Sequence, residues 1–192
     1  MFILEQGKEL VKLARKAVES KKVEKKFRKD FEIKNGVFVT IETYPKKELR
    51  GCIGFPYATF AIGEATQKAA ISAAYEDMRF PPLSKEELNE IVFEVSILTK
   101  PELIEVKDPK EYFQKIKTGK DGLILQNGPF SGLFLPQVWN YFKTKEEFLG
   151  NLCYKAGLTP DNIYDKKTRI WKFGAQVFAE EEPNKKIKEI KL

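Results

Sequence analysis

Apolar positions along the chain follow two periods, and the order in which the periods alternate predicts the architecture. Gly7, Leu10, Val11, Ala14, Ala17 and Val18 recur at spacings of three and four, so an amphipathic helix is expected over 6–20. A basic stretch follows, Lys21 to Lys29, and is expected as a solvated helix end. After the turn signal Asn35-Gly36, the β-branched run 37–43 predicts a strand, and Pro45-Lys46-Lys47 turns it back into Leu49-Arg50-Gly51-Cys52-Ile53-Gly54. Strict alternation there would send Leu49, Ile53 and Phe55 into the core. Arg50 and Cys52 would then share the other face, about 7 Å apart. An alanine-rich helix is expected over 60–75, ending in a corner stiffened by Pro81 and Pro82. Ser84-Lys85-Glu86-Glu87 reads as the capping-box start of a short helix. A strand over 91–98 completes the set, with Glu94 standing between Val92 and Leu98 on an otherwise apolar face.

The pattern then recurs. After a short helix near 109–116 come strands at 122–126 and 132–135 around Asn127-Gly128, a helix at 145–156 closed by Gly157, and a strand over 169–179. Gly51 and Gly132 occupy matching positions 81 residues apart. Two β-β-α-β units from an ancient duplication are the simplest account. The expected fold class is therefore α+β: mostly antiparallel sheet with helices packed on it, in two lobes with a cleft between them. One domain is expected over 1–192, with lobes at 1–48 plus 121–192 and at 49–120. The charge-blocked tail beyond Glu180 is open between a docked helix or strand and a loose end.

Composition narrows the chemistry. The 192 residues contain no histidine, which removes Ser-His-Asp and Cys-His catalysis and the histidine zinc motifs. Cys52 and Cys153 are too few for a thiolate metal site, no phosphate-binding glycine loop is present, and neither metal nor cofactor is expected. No apolar run approaches a membrane span or a signal-peptide core, so a cytoplasmic protein is expected, its two cysteines either free thiols, as a reducing compartment favours, or one disulfide. Net charge is +6, but the surplus sits in two separate segments without an aromatic-basic motif, so nucleic-acid binding should be weak at most.

Leu49-Arg50-Gly51-Cys52-Ile53-Gly54 resembles the hallmark hexapeptide of the AMMECR family. Asp77-x-Arg79-Phe80-Pro81-Pro82-Leu83, Glu94-x-Ser96, Phe134-Leu135-Pro136-Gln137-Val138 and Lys155-Ala156-Gly157-Leu158 resemble its further motifs, in the same order. The resemblance covers nearly the whole chain; Met78 stands where relatives often carry proline. It implies a two-lobed α/β protein with the hexapeptide near the interlobe cleft. The family has no settled activity. Some bacterial relatives are joined to Memo-like domains or accompany radical S-adenosylmethionine proteins, which implies a pathway partner of that kind, and eukaryotic relatives have been suggested to be regulatory.

The candidate residues each have two readings. Cys52 is a nucleophile or proton donor, or a small packing residue. Arg50 clamps an anion through its planar fork, or forms an internal ion pair with Asp77 or Glu94. Asp77 or Glu94 is the base; Arg79 assists ligand binding; the peptide N–H groups of Gly51 and Gly54 stabilise negative charge. Because a lone buried charge is costly, Arg50, Asp77, Arg79 and Glu94 are expected to converge beside Cys52. The function expected is binding, with or without transformation, of a small anionic ligand around Arg50-Gly51-Cys52. The alternatives are a nucleic-acid-binding module and a regulatory protein-interaction module.

Overall fold

The computed structural model describes residues 1–191, which divide into two compact units: 1–99 with 176–191, and 100–175. In the first unit, helix α1 (Leu4–Ser20) precedes a hairpin of β1 (Gly36–Thr43) and β2 (Leu49–Phe55), then α2 (Ile62–Tyr75) and β3 (Ile91–Leu98). The C-terminal strands β8 (Ala175–Glu180) and β9 (Ile187–Ile190) complete a five-stranded sheet in the order β2-β1-β3-β8-β9. The tail is thus a docked strand. β1 pairs antiparallel with both β2 and β3. Alternate residues Val37, Val39, Ile41, Phe93, Val95 and Ile97 make the sheet's core face, which packs with Leu10, Val11, Ala14 and Val18 of α1 and the alanines of α2. Arg15 is buried in this unit, where it donates to both carboxylate oxygens of Glu180 at 2.8 and 2.6 Å and to the Leu88 and Ile91 carbonyls.

The second unit contains β4 (Glu102–Leu103), a 3-10 turn running into α3 (Tyr112–Lys115), β5 (Gly122–Asn127), β6 (Phe130–Phe134), α4 (Lys145–Lys155) and β7 (Arg169–Phe173). Its sheet has the order β4-β7-β5-β6, and β5 pairs antiparallel with both β6 and β7. Hairpin, helix and returning strand therefore follow one plan in both units. Phe148, Leu149, Leu152 and Trp139 fill the core over β5 and β7.

Four expectations need correction. The lobes do not divide at 48, because β1 is the central strand that β2 and β3 both need. The strand expected over 169–179 breaks at Gly174, its halves joining different sheets. Residues 21–29 do not continue α1; Lys21 ends it in the left-handed region at φ 55°, and the chain is irregular until a 3-10 turn at Lys29–Phe31. The segment after Ser84 forms only a 3-10 turn, Glu86–Asn89. No helix among the described residues is long and apolar enough to cross a membrane.

Candidate functional site

A bulge sets the geometry of the hexapeptide. Ile41 faces Gly51 across the hairpin while Glu42 faces Leu49, so Arg50 is an additional residue on β2. The alternation expected from sequence slips there. Leu49 lies 44% exposed instead of entering the core, and Arg50 turns to the segment after α2. Its Nε and Nη2 donate to Glu87 at 2.7 and 3.2 Å, and its guanidinium lies 5.9 Å from the Phe80 ring. The partner of Arg50 is thus Glu87, not Asp77 or Glu94, and Arg50 does not share the face of Cys52. Glu87 is held below its ordinary pKa, first by Arg50. The same carboxylate accepts from the Ser84 N–H, and Ser84 Oγ accepts from Glu87 N–H. Nη1 of Arg50 is buried without a hydrogen-bond partner.

Gly51 and Gly54 have packing reasons to be glycine. A side chain at Gly51 would run into the Ala73 carbonyl of α2, and one at Gly54 into the Phe38 ring and the Val37 carbonyl. In an edge strand, alternate residues turn their peptide groups outward. Those of Cys52 do, as described next, so Gly51 turns its N–H to β1 and only Gly54 presents one on the outer edge. The anion-stabilising role expected of the Gly51 N–H is excluded by this direction.

At that edge the corner after α2 substitutes for a neighbouring strand. The Cys52 N–H donates to Asp77 Oδ2 at 2.9 Å, and Arg79 Nη2 donates to the Cys52 carbonyl at 3.2 Å. Asp77 and Arg79 are joined by two further bonds, Nε to Oδ1 at 2.9 Å and Nη2 to Oδ2 at 2.7 Å. The corner is fixed by Leu83, buried and bonded to the Ala74 carbonyl, and by Pro81 and Pro82. Hydrogen bonding from Arg79 holds the Asp77 carboxyl down at about 2. A general base works best with a pKa near the working pH, so this environment favours the structural of the two readings of Asp77, as the anchor of Arg79 and the Cys52 N–H. The Asp77 side chain is 4% exposed but that of Arg79 is 53% exposed. Arg79 Nη1 has no hydrogen-bond partner among the described residues.

Cys52 is half-buried, with Sγ 3.3 Å from Thr40 Oγ1. Thr40 faces Cys52 on one side and Glu94 on the other, so the three form a row on the sheet face opposite the helices. Two strand spacings put the Cys52 and Glu94 backbones about 10 Å apart. Ser96 Oγ donates to Glu94 at 3.4 Å. Cys153, by contrast, is fully buried, and burial pushes its thiol up to about 11. The structure therefore gathers Cys52, Asp77 and Arg79 closely and leaves Arg50 on Glu87, with the Phe80 ring near both guanidiniums, 5.9 Å from Arg50 and 5.5 Å from Arg79. Glu94 stands in the row of the thiol. Sequence reasoning missed Glu87 and Thr40. The capping box Ser84-x-x-Glu87 was the available signal for the first, and the hairpin register for the second.

Comparison with known proteins decides the family: its sequence model, AMMECR1, matches residues 11–178. The chain belongs to the AMMECR1 family. It is 48% identical to protein MJ0810 of Methanocaldococcus jannaschii, covering 100% of this chain and 98% of that one. Protein PH0010 of Pyrococcus horikoshii is likewise 48% identical, over 96% of this chain and 94% of its own. The crystal structure of PH0010, described as uncharacterized, superposes with a TM-score of 0.94 at 46% identity over 100% of this chain and 99% of that one. AMMECR1 relatives thus fix the fold and name no activity. Among the described residues, no group of three or more His, Cys, Asp or Glu could hold a metal ion. The basic run 21–29, expected as solvated, is partly neutralised, since Arg28 pairs with Glu9 and Asp30.

Proposed function

We propose that the outer edge of β2 binds a small anionic ligand beside Cys52, with Arg79 rather than Arg50 as the receiving cation. One observation carries this reading: among the described residues of the site, Arg79 is the cation that is both fixed and open. Asp77 and the Cys52 carbonyl hold two of its nitrogens, while Nη1 makes no hydrogen bond among the described residues and about half of the side chain is exposed. An oriented guanidinium loses little freedom on meeting an anion. The outward Gly54 N–H supports the same edge, and Cys52 is the nucleophilic group nearest the bound ligand. The Asp77 charge weakens the attraction, so modest affinity is expected.

The test is thermal shift and iodoacetamide labelling of the full chain with a panel of carboxylates, phosphates and nucleotides. A true ligand raises Tm and slows alkylation of Cys52, with Cys153 as the unreactive internal standard. Arg79→Met should abolish both effects. If no compound protects Cys52, or if Arg79→Met leaves protection intact, the reading fails. A second reading, docking of a regulatory protein, rests on Met78, which is fully exposed in the middle of the same corner.

A further inference from the structure

The second unit carries a groove unrelated to the Cys52 edge. It is about 620 Å³ in volume and lies among residues 103–107, the turn from Pro109 into α3, and the loop 165–169. That volume falls within the range of small-molecule sites. Its charges are unevenly satisfied. Lys115 is taken by Glu111 at 2.9 Å and by the Glu105 carbonyl at 2.6 Å. Glu111 also accepts from the N–H groups of Lys107 and Asp108, and Asp165 accepts from Asn127 and the Lys167 N–H. What remains without an ion pair among the described residues is three cations, Lys107, Lys166 and Arg169, against two carboxylates, Glu105 and Asp165.

Unpaired surface lysines are ordinary; Arg169 is not. Its Nη1 donates to the carbonyls of Lys166 and Thr168 at 2.8 and 3.3 Å, which pins the guanidinium to the loop. Its Nε and Nη2 make no hydrogen bond among the described residues, so the fork is set in place with donors to spare. Apolar surface stands opposite. Leu103 is 43% exposed, Val106 and Pro109 line the groove, and Tyr112 closes it with its hydroxyl donating to the Thr168 carbonyl at 3.2 Å. A cationic rim over an apolar wall recognises a molecule with an anionic end and an apolar body. The lining keeps a net positive charge, and the oriented fork of Arg169 with two lysines beside it suits a phosphate's several oxygens.

We propose that this groove binds a small phosphate monoester, its phosphate held by Arg169, Lys166 and Lys107 and its organic part laid on Leu103, Val106 and Tyr112. The test is backbone NMR of the full chain titrated with phenyl phosphate and, separately, with inorganic phosphate. Saturable shifts confined to 103–107, 112 and 165–169 are expected, with phenyl phosphate the tighter. Arg169→Gln, an exposed substitution, should weaken phenyl phosphate about tenfold, the effect of losing a charge-assisted bond. Arg79→Met should leave it unchanged, which keeps this site distinct from the Cys52 edge. Shifts scattered over Lys21–Lys29 that vanish in ~0.2 M salt would overturn the proposal. So would unchanged affinity in Arg169→Gln, equal binding of the two phosphates, or tighter binding of an RNA oligonucleotide in the same groove.

Discussion

The two hairpins share a plan and differ in chemistry. In each, a glycine on the outer strand lies beneath the following helix: Gly51 against Ala73 of α2, Gly132 against Leu152 and Ala156 of α4. In each, that glycine sits in one row with apolar partners, Ile41 and Phe93 in the first unit, Leu125 and Ile170 in the second. The next row parts them. Thr40, Cys52 and Glu94 correspond to Ile124, Leu133 and Trp171. The second hairpin also runs from Leu123 to Asn127 without a register shift, so it has no additional residue like Arg50. Between β6 and α4 it gathers aromatic rings, Phe134, Trp139 and Phe142 against Phe148, whereas the ion pairs of the first unit lie after α2. The fold needs the glycine row in both units. The polar row, the bulge and the charged corner occur in one of them alone among the described residues, and features that the shared plan does not require are where function is sought.

The shared part breaks hardest. An added methyl at Gly51 meets a helix carbonyl that cannot move aside, whereas at Gly132 the nearest atom, the Leu152 carbonyl, stands at 2.9 Å. Gly51→Ala should cost about 3 kcal/mol or more and Gly132→Ala about 1 kcal/mol, read from urea unfolding. Equal costs would show that the helices approach their strands alike and that the comparison is drawn wrongly.

The charged corner comes next. Folding lowers the Asp77 pKa from 3.8 to about 2, so its stabilisation is fully present above about pH 4 and is lost as pH falls through 2. The two values set an upper bound of about 2 kcal/mol, reduced because Arg79 is half-exposed. Asp77→Asn keeps an acceptor for the Cys52 N–H and removes the charge. Its stability deficit should shrink between pH 5 and pH 2; a deficit constant with pH would mean that the hydrogen bonds, not the charge, hold the corner.

The additional residue should matter least. Arg50→Met removes the Glu87 pair but also removes a buried Nη1 that has no partner, an orphan that itself costs about 1–3 kcal/mol. The two terms nearly offset, and a net loss of about 1 kcal/mol is expected from the melting temperature. A much larger loss would make Arg50 a pillar of the first unit; unchanged melting with lost ligand protection of Cys52 would return it to the binding site.

Much of this was legible in the residues. Period alone predicts β3 at its observed bounds and α2 to within two residues. The meeting of Asp77, Arg79 and Cys52 follows from charges placed where neither core nor solvent needs them. What stayed hidden depends on register. A bulge moves no residue type, yet it takes Arg50 from the face of Cys52 to Glu87. The glycines did report a close approach, but the approaching backbone at Gly51 is the protein's own helix. Nor does apolar alternation across 169–179 reveal that Gly174 hands the chain from one sheet to the other, since both sheets want the same pattern.

The Arg15–Glu180 pair gives the chain an order of assembly in time. Arg15 leaves the ribosome early, but the carboxylate that grips both its Nε and Nη2 arrives 165 residues later, after the whole second unit has been made. At about 5–20 residues per second, the interval between Thr99 and Gln176 lasts roughly 4–15 s. Through that interval the first unit lacks β8, β9 and the buried carboxylate, and a guanidinium left in an apolar core without its partner opposes closure. The second unit, encoded in one uninterrupted stretch, has all its strands before the first does. The half of the protein that begins first is the half that finishes last.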